Sequence, residues 1–173
     1  MANIVTTDKF PAGTPNAAGE IEQGPDGRVF MAAYWDATAP STCSKGDAVF
    51  VTVDFDGTTA LTSPQIAAAA TISVAQIAGI VCATLTAAGL VWVQIQGRND
   101  FTKVDGTTDV GIGDTLQMVN GQVYLVQDSA SAISADSLAI ALEAETDTIA
   151  AQGGTAASAS HSIYLFNRLV TIG

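Results

Sequence analysis

Positive charge is the scarcest resource in this chain. Six Lys and Arg residues face seventeen Asp and Glu across 173 residues, giving a net charge of −11 and a pI near 4.1. A phosphate backbone is gripped by clustered Lys and Arg, so this balance argues against nucleic acid as a partner. It argues equally against an anionic membrane surface. Charge of either sign is thin, at 13% of residues, about half the share of an ordinary soluble domain. Two surfaces fit that scarcity. One is covered by partners; the other is made of Ser, Thr, Ala and Gly, which this chain also has in number. The reading favours partners.

Other shortages narrow the chemistry. There is one histidine, His161. A Ser–His–Asp triad would depend on it, yet no Gly-x-Ser-x-Gly elbow surrounds any serine. Between Ser160 and Ser162, just ahead of a closing strand, it reads as a solvated loop residue. The two cysteines, Cys43 and Cys82, fit no metal spacing. Cys82 lies in an apolar run and reads as a small core residue, and a disulfide would require an oxidising compartment.

Long apolar runs are also missing. Residues 57–97 carry no charge, but Pro64, Gln65 and Gln76 interrupt them. Their unbroken stretches fall well short of the roughly 18 residues a spanning helix needs. The start of the chain lacks the order of basic, apolar and small residues that marks a Sec-type signal peptide, so none is expected. Asp54-Phe55-Asp56-Gly57 lacks the third ligand and closing Glu of an EF-hand loop and reads as a turn. Gly111-Ile112-Gly113-Asp114 has no third glycine and opens no helix, so it is not a dinucleotide fingerprint. Glu143 and Glu145 imply no cleft. The reading assigns no catalytic residue, no metal ligand and no cofactor.

What is present is strand vocabulary. Residues 28–35 are rich in branched and aromatic side chains and read as the first strand. In 47–55, Val49, Val51, Val53 and Phe55 alternate, the mark of a half-buried strand. Residues 77–85 and 90–96 read as strands joined at Ala87-Ala88-Gly89. Val91, Val93 and Ile95 share one face of the second; Trp92, Gln94 and Gln96 share the other, read as half wet or facing a subunit. Ala67–Ala70 predicts a short helical turn after Pro64. Asn120-Gly121 predicts a hairpin. Residues 137–148 fit helix or strand, and a repeat decides for strand.

That repeat is a phrase written twice. Gly46-Asp47 opens a strand, Ile77–Ala83 follows, and Val91–Ile95 closes. Gly113-Asp114 opens another, Leu138–Ala144 follows, and Ile163–Phe166 closes, with Trp92 set against Tyr164. The expectation is an all-β protein: a β-sandwich or β-barrel-like body over 28–173, with two similar lobes at about 28–98 and 112–173. Ahead of it, Met1–Gly27 is punctuated by Pro11, Gly13, Pro15, Gly19, Gly24, Pro25 and Gly27. Such spacing predicts an extended arm with neither helix nor regular sheet. The arm carries Ile4, Val5, Phe10 and Ile21 as apolar anchors, either for its own body or for a neighbour.

The run Gly79-Ile80-Val81-Cys82-Ala83, then Ala87-Ala88-Gly89-Leu90-Val91-Trp92-Val93-Gln94-Ile95-Gln96-Gly97, resembles a pattern in the decoration, or cement, proteins of tailed-bacteriophage heads. Gly113-Asp114-Thr115-Leu116 continues it, and the resemblance covers roughly Gly46 to Val126. It implies a β-sandwich or β-barrel-like module, a homotrimer, on the capsid exterior where capsomers meet. The partner would be the major capsid protein, and the protein would be made in the host cytoplasm. The competing expectations are an adhesion or carbohydrate-binding module, with Tyr34, Trp35 and Trp92 stacking on sugars, or an enzyme converging on His161. For these aromatics, core or subunit interface is preferred.

Overall fold

The structure, a computed structural model, describes residues 11, 13–37, 43–53, 59–62, 75–105, 109–118, 122–128, 137–144, 161–166 and 169–170. Every regular element among them is a strand: β1 (Ile21–Gln23), β2 (Val29–Trp35), β3 (Ala48–Val53), β4 (Thr59–Thr62), β5 (Ala75–Val81), β6 (Gly89–Thr102), β7 (Val104–Asp105), β8 (Thr115–Met118), β9 (Leu125–Gln127), β10 (Ala139–Ala141), β11 (His161–Leu165) and β12 (Leu169–Val170). The all-β expectation holds.

The strands pair in two series. In the first, β2 pairs β4 in parallel. Antiparallel pairs β4–β3, β3–β5, β5–β6 and β6–β2 then close a ring of five strands. In the second, β7 pairs β9 in parallel. Antiparallel pairs β9–β8, β8–β10, β10–β11 and β11–β6 follow. Only Lys103 separates β6 from β7. Residues 97–105 therefore play in the second series the part β2 plays in the first. Registers correspond as well: Val49↔Gly79 matches Leu116↔Ala139, and Val81↔Val93 matches Ala141↔Ile163. One detail of the expected repeat is corrected. Ile80 pairs Gln94 as Ile140 pairs Tyr164, so the counterpart of Tyr164 is Gln94 rather than Trp92.

The two series share packing. Met31, Val49, Val51, Val81, Val91 and Val93 form a cluster from the inward positions of the first ring. The other faces of β3 and β5 present Ala48, Phe50, Ala78 and Ile80, which lie in one cluster with Leu116, Leu125, Ile163 and Leu165. The first ring's outer wall is thus an inner wall for the second series. This corrects the half-buried reading of β3: Ala48, Val49, Phe50 and Val51 are all buried. A strand with apolar neighbours on both sides needs no polar face. Val53's side chain and Phe55 lie outside the described residues.

β6 serves both series because it bends at Gly97. The φ of Gly97 is 91°, a left-handed value that β-branched and bulky residues rarely adopt. Gln94 fixes the bend. Its Nε2 donates to the carbonyls of Gln96 (3.1 Å) and Arg98 (2.8 Å), one on each side of Gly97. Its Oε1 accepts from Asn99 Nδ2 at 3.0 Å, and Asn99 Oδ1 accepts from Thr102 Oγ1 at 2.7 Å. Gln94 is fully buried, so it is a staple within the strand and not a wet or subunit-facing position.

Two further expectations are corrected. Part of Met1–Gly27 is sheet: β1 (Ile21–Gln23) pairs β2 antiparallel, and Gly19 N–H donates to Ala32 O while Ala32 N–H donates to Glu20 O, both at 2.8 Å. The Gly24–Gly27 stretch turns the chain into that hairpin, with Gly27 N–H donating to Gly24 O at 3.1 Å. Its Pro and Gly residues punctuate a hairpin instead of preventing a sheet. The other correction is His161, which opens β11 opposite Thr102 with 14% of its side chain exposed, and is no solvated loop residue. Strands β8 and β9 form the expected hairpin, but Met118 faces Leu125, so its loop spans 119–124 and exceeds a two-residue turn. Asn120-Gly121, Ala67–Ala70 and Asp54–Gly57 lie outside the described residues.

Candidate functional site: paired Gly-Asp turns and an aromatic groove

The polar residues singled out by the repeat build two matching turns. In the first, Asp47 Oδ2 accepts from Ser44 N–H at 2.8 Å, and Asp47 N–H donates to Ser44 O at 3.0 Å. In the second, Asp114 Oδ2 accepts from Gly111 N–H at 2.7 Å, and Asp114 N–H donates to Gly111 O at 3.1 Å. Gly46 and Gly113 share a φ of 91°. Each is locked to the following strand: Gly46 N–H to Val81 O and Gly113 N–H to Ala141 O, both 2.9 Å. At Gly46 the backbone is also too close for a side chain, since a Cβ would sit 2.3 Å from Phe101 O.

The turns differ in the third partner of the carboxylate. Asp47 is fully buried and paired with the ammonium of Lys103, itself 7% exposed. Asp114 is only part-buried and receives the neutral amide of Gln127 at 2.6 Å. Both carboxylates hold backbone and a neighbouring strand. That is scaffold chemistry, and it takes up the acidic residues the sequence offered as most regular.

The candidate site lies on the outer side of β2 and β6. Phe30, Ala32 and Trp92 form a third cluster there, with Cys82 packed against it. Beside it opens a groove of about 420 Å³, with Trp92, Phe30, Leu85, Leu90 and Phe101 in its lining. Pro11 and Pro15 of the N-terminal segment also line it. Two cations border the aromatics: the Lys45 ammonium lies 4.5 Å from the Phe101 ring centroid and the Arg28 guanidinium 5.7 Å from that of Phe30. Arg28 also pairs Asp26 at 2.6 Å. The indole Nε1–H of Trp92 is buried and has no acceptor among the described residues. An unmet buried donor costs roughly 1–3 kcal/mol.

Burial disfavours the thiolate form of both cysteines. Burial pushes Cys43 up to about 11, aided by the charge of Asp47, and burial pushes Cys82 up to about 12. Among the described residues no group of His, Cys, Asp and Glu could hold a metal ion. His161 Nδ1 stands 3.9 Å from Glu143 Oε1, which also accepts from Ser162 N–H. This contact ties β11 to the segment after β10.

The predicted aromatics separate. Trp35 and Trp92 are each 4% exposed and belong to the interior, which removes them as open stacking platforms for a sugar, while Tyr34 is exposed. Of the arm anchors, Ile21 is exposed on β1. Ile4, Val5 and Phe10 lie outside the described residues. Sequence reasoning missed the Gln94–Asn99 staple and the groove. The clustering of Phe30 with Trp92 across β2 and β6 could have been found only by knowing that those strands are neighbours.

Comparison with family models, with curated proteins and with solved structures finds no match to this chain.

Proposed function

We propose that this chain is a structural virion protein that coats the outer surface of a tailed-phage capsid at capsomer junctions, acting as a homotrimer on the major capsid protein. The observation that carries the reading is how polar and apolar groups are divided. The buried polar side chains Asp47, Lys103, Gln94 and Asn99 are engaged in fixing turns and the β6 bend. Large apolar side chains are left outside: Ile21, Tyr34, Ile112, Leu142 and Tyr164 are all exposed. A body rigid within and adhesive without suits association. Each apolar Å² covered on a shell contributes about 25 cal/mol, and many copies make the gain cumulative.

The test begins with the gene. A neighbouring major capsid gene supplies shells on which to measure binding by co-sedimentation. Saturable binding at a fixed copy number per capsomer supports the reading. Absence of binding to expanded shells overturns it.

A further inference from the structure

We propose that Lys103 and Asp47 condense after folding into an intramolecular amide, a covalent cross-link between the first Gly-Asp turn and the junction of β6 and β7. The argument is independent of the capsid reading.

Both partners are buried and positioned by backbone. Asp47 is fully buried and Lys103 is 7% exposed. The lysine stem crosses the turn at Gly46, where an added Cβ would sit 3.4 Å from Lys103 Cγ. Lys103 N–H donates to Gly46 O at 3.1 Å, and Lys103 O accepts from Leu125 N–H at 2.9 Å. Asp47 O accepts from Val81 N–H at 2.9 Å. The ammonium meets Asp47 Oδ1, while Oδ2 accepts from Ser44 N–H at 2.8 Å. Nitrogen and carboxyl are thus presented to each other from positions 56 residues apart in sequence. Well-oriented intramolecular partners reach effective molarities of about 10⁵–10⁸ M.

The step balances within the pair. Holding two ions out of water is costly, which brings the neutral pair within reach: one proton passes from Nζ to Oδ1, leaving an amine beside a carboxylic acid. The Nζ lone pair attacks Cγ. Charge developing on Oδ2 meets the Ser44 N–H already bonded there. The Cγ–Oδ1 bond then breaks, and Oδ1 departs as water with a second proton from Nζ. The product is a neutral amide whose carbonyl oxygen, Oδ2, keeps its bond to Ser44. Two buried charges are removed, and nothing is oxidised or reduced.

The second turn supplies the contrast. Its Asp114 is only part-buried and accepts from the side-chain amide of Gln127 at 2.6 Å. An amide nitrogen is no nucleophile, so this turn stays uncrosslinked.

Mass spectrometry of the folded full chain tests the proposal. The expected mass is one water below that of the sequence. Trypsin cuts after Lys and Arg but not after an acylated lysine. The linked chain therefore yields residues 46–98 joined to residues 99–168, with the cut after Lys103 lost. Lys103→Arg keeps a cation against Asp47, but a guanidinium stays protonated and does not attack, so this variant shows the full mass. The proposal is overturned if the folded parent has the full mass and is cut after Lys103. It is also overturned if the water loss persists in Lys103→Arg, or maps within a single peptide as a succinimide at an Asp-Gly pair would.

Discussion

The two series of strands use one pairing order and differ in what they place on its outer side. In the first, Phe30 and Trp92 make an apolar face with a groove beside it. In the second, the corresponding positions are Arg98 and Ser162, and Arg98 pairs Asp100 at 2.7 Å in the open. Backbone pairing is common to both, so it cannot be what gives the first ring its groove. The side chains do that. The comparison teaches that the repeated Gly-Asp phrase belongs to the scaffold, while specialisation lies between the repeated words.

The largest way to break the comparison is at the turns. Asp47→Ala leaves the Lys103 ammonium buried without its carboxylate, and should cost about 3–5 kcal/mol. Asp114→Ala leaves only neutral donors near the surface and should cost about 1–2 kcal/mol. Urea denaturation of both variants measures the gap; equal losses would show that the buried charge is not what separates the turns.

Next is β1, which has no counterpart among the described residues of the second series. Deleting residues 2–24 removes β1 from its pairing with β2, and with it Pro11 and Pro15 from the lining of the groove. Its melting temperature should fall clearly, whereas deleting residues 2–9 should leave melting unchanged. Calorimetry on the two truncations decides where arm ends and body begins.

Gln94→Leu tests the bend that divides β6 between the series. The leucine fills the space but leaves the carbonyls of Gln96 and Arg98 and the amide of Asn99 short of a partner. A loss of about 2–3 kcal/mol is expected, with little change in the denaturant slope.

The smallest effect is the pH dependence of the second series' outer face. Burial alone would raise the Asp100 carboxyl, but hydrogen bonds from Arg98 and Ser162, with the Arg98 charge, bring it below the ordinary carboxylate value. A lowered folded value means that the unfolded chain binds the proton more readily. The contribution is therefore complete above the unfolded value and is lost as pH falls through the folded one. Asp100 is 59% exposed, so screening holds this to under about 1 kcal/mol. Asp100→Asn should remove that part of the acid-side slope in stability measured against pH. Ala32, next after Phe30 on the outer side of β2, has nothing to titrate.

The strands were legible because their local patterns and their burial agree. Val91, Val93 and Ile95 read as one face and form one face. The paired Gly-Asp turns were legible because glycine and aspartate each do there what few other residues can. What stayed hidden depends on distant neighbours. A glutamine in an apolar strand reads as wet unless the left-handed turn at Gly97, three residues on, is known to need its amide. The strand at Ile21–Gln23 was hidden by flanking Pro and Gly, which mark a hairpin corner as readily as a free arm. The groove draws on residues from Pro11 to Phe101, and no local window contains it.

The account's central claim is that apolar side chains exposed on the strand body carry the proposed association. The most direct measurement compares the parent chain with the double variant Tyr34→Ser, Tyr164→Ser, both positions being exposed, in co-sedimentation with capsid shells. The account predicts that the variant keeps its fold and melting temperature and loses most of its binding. Equal coating of the shells by both chains would contradict it.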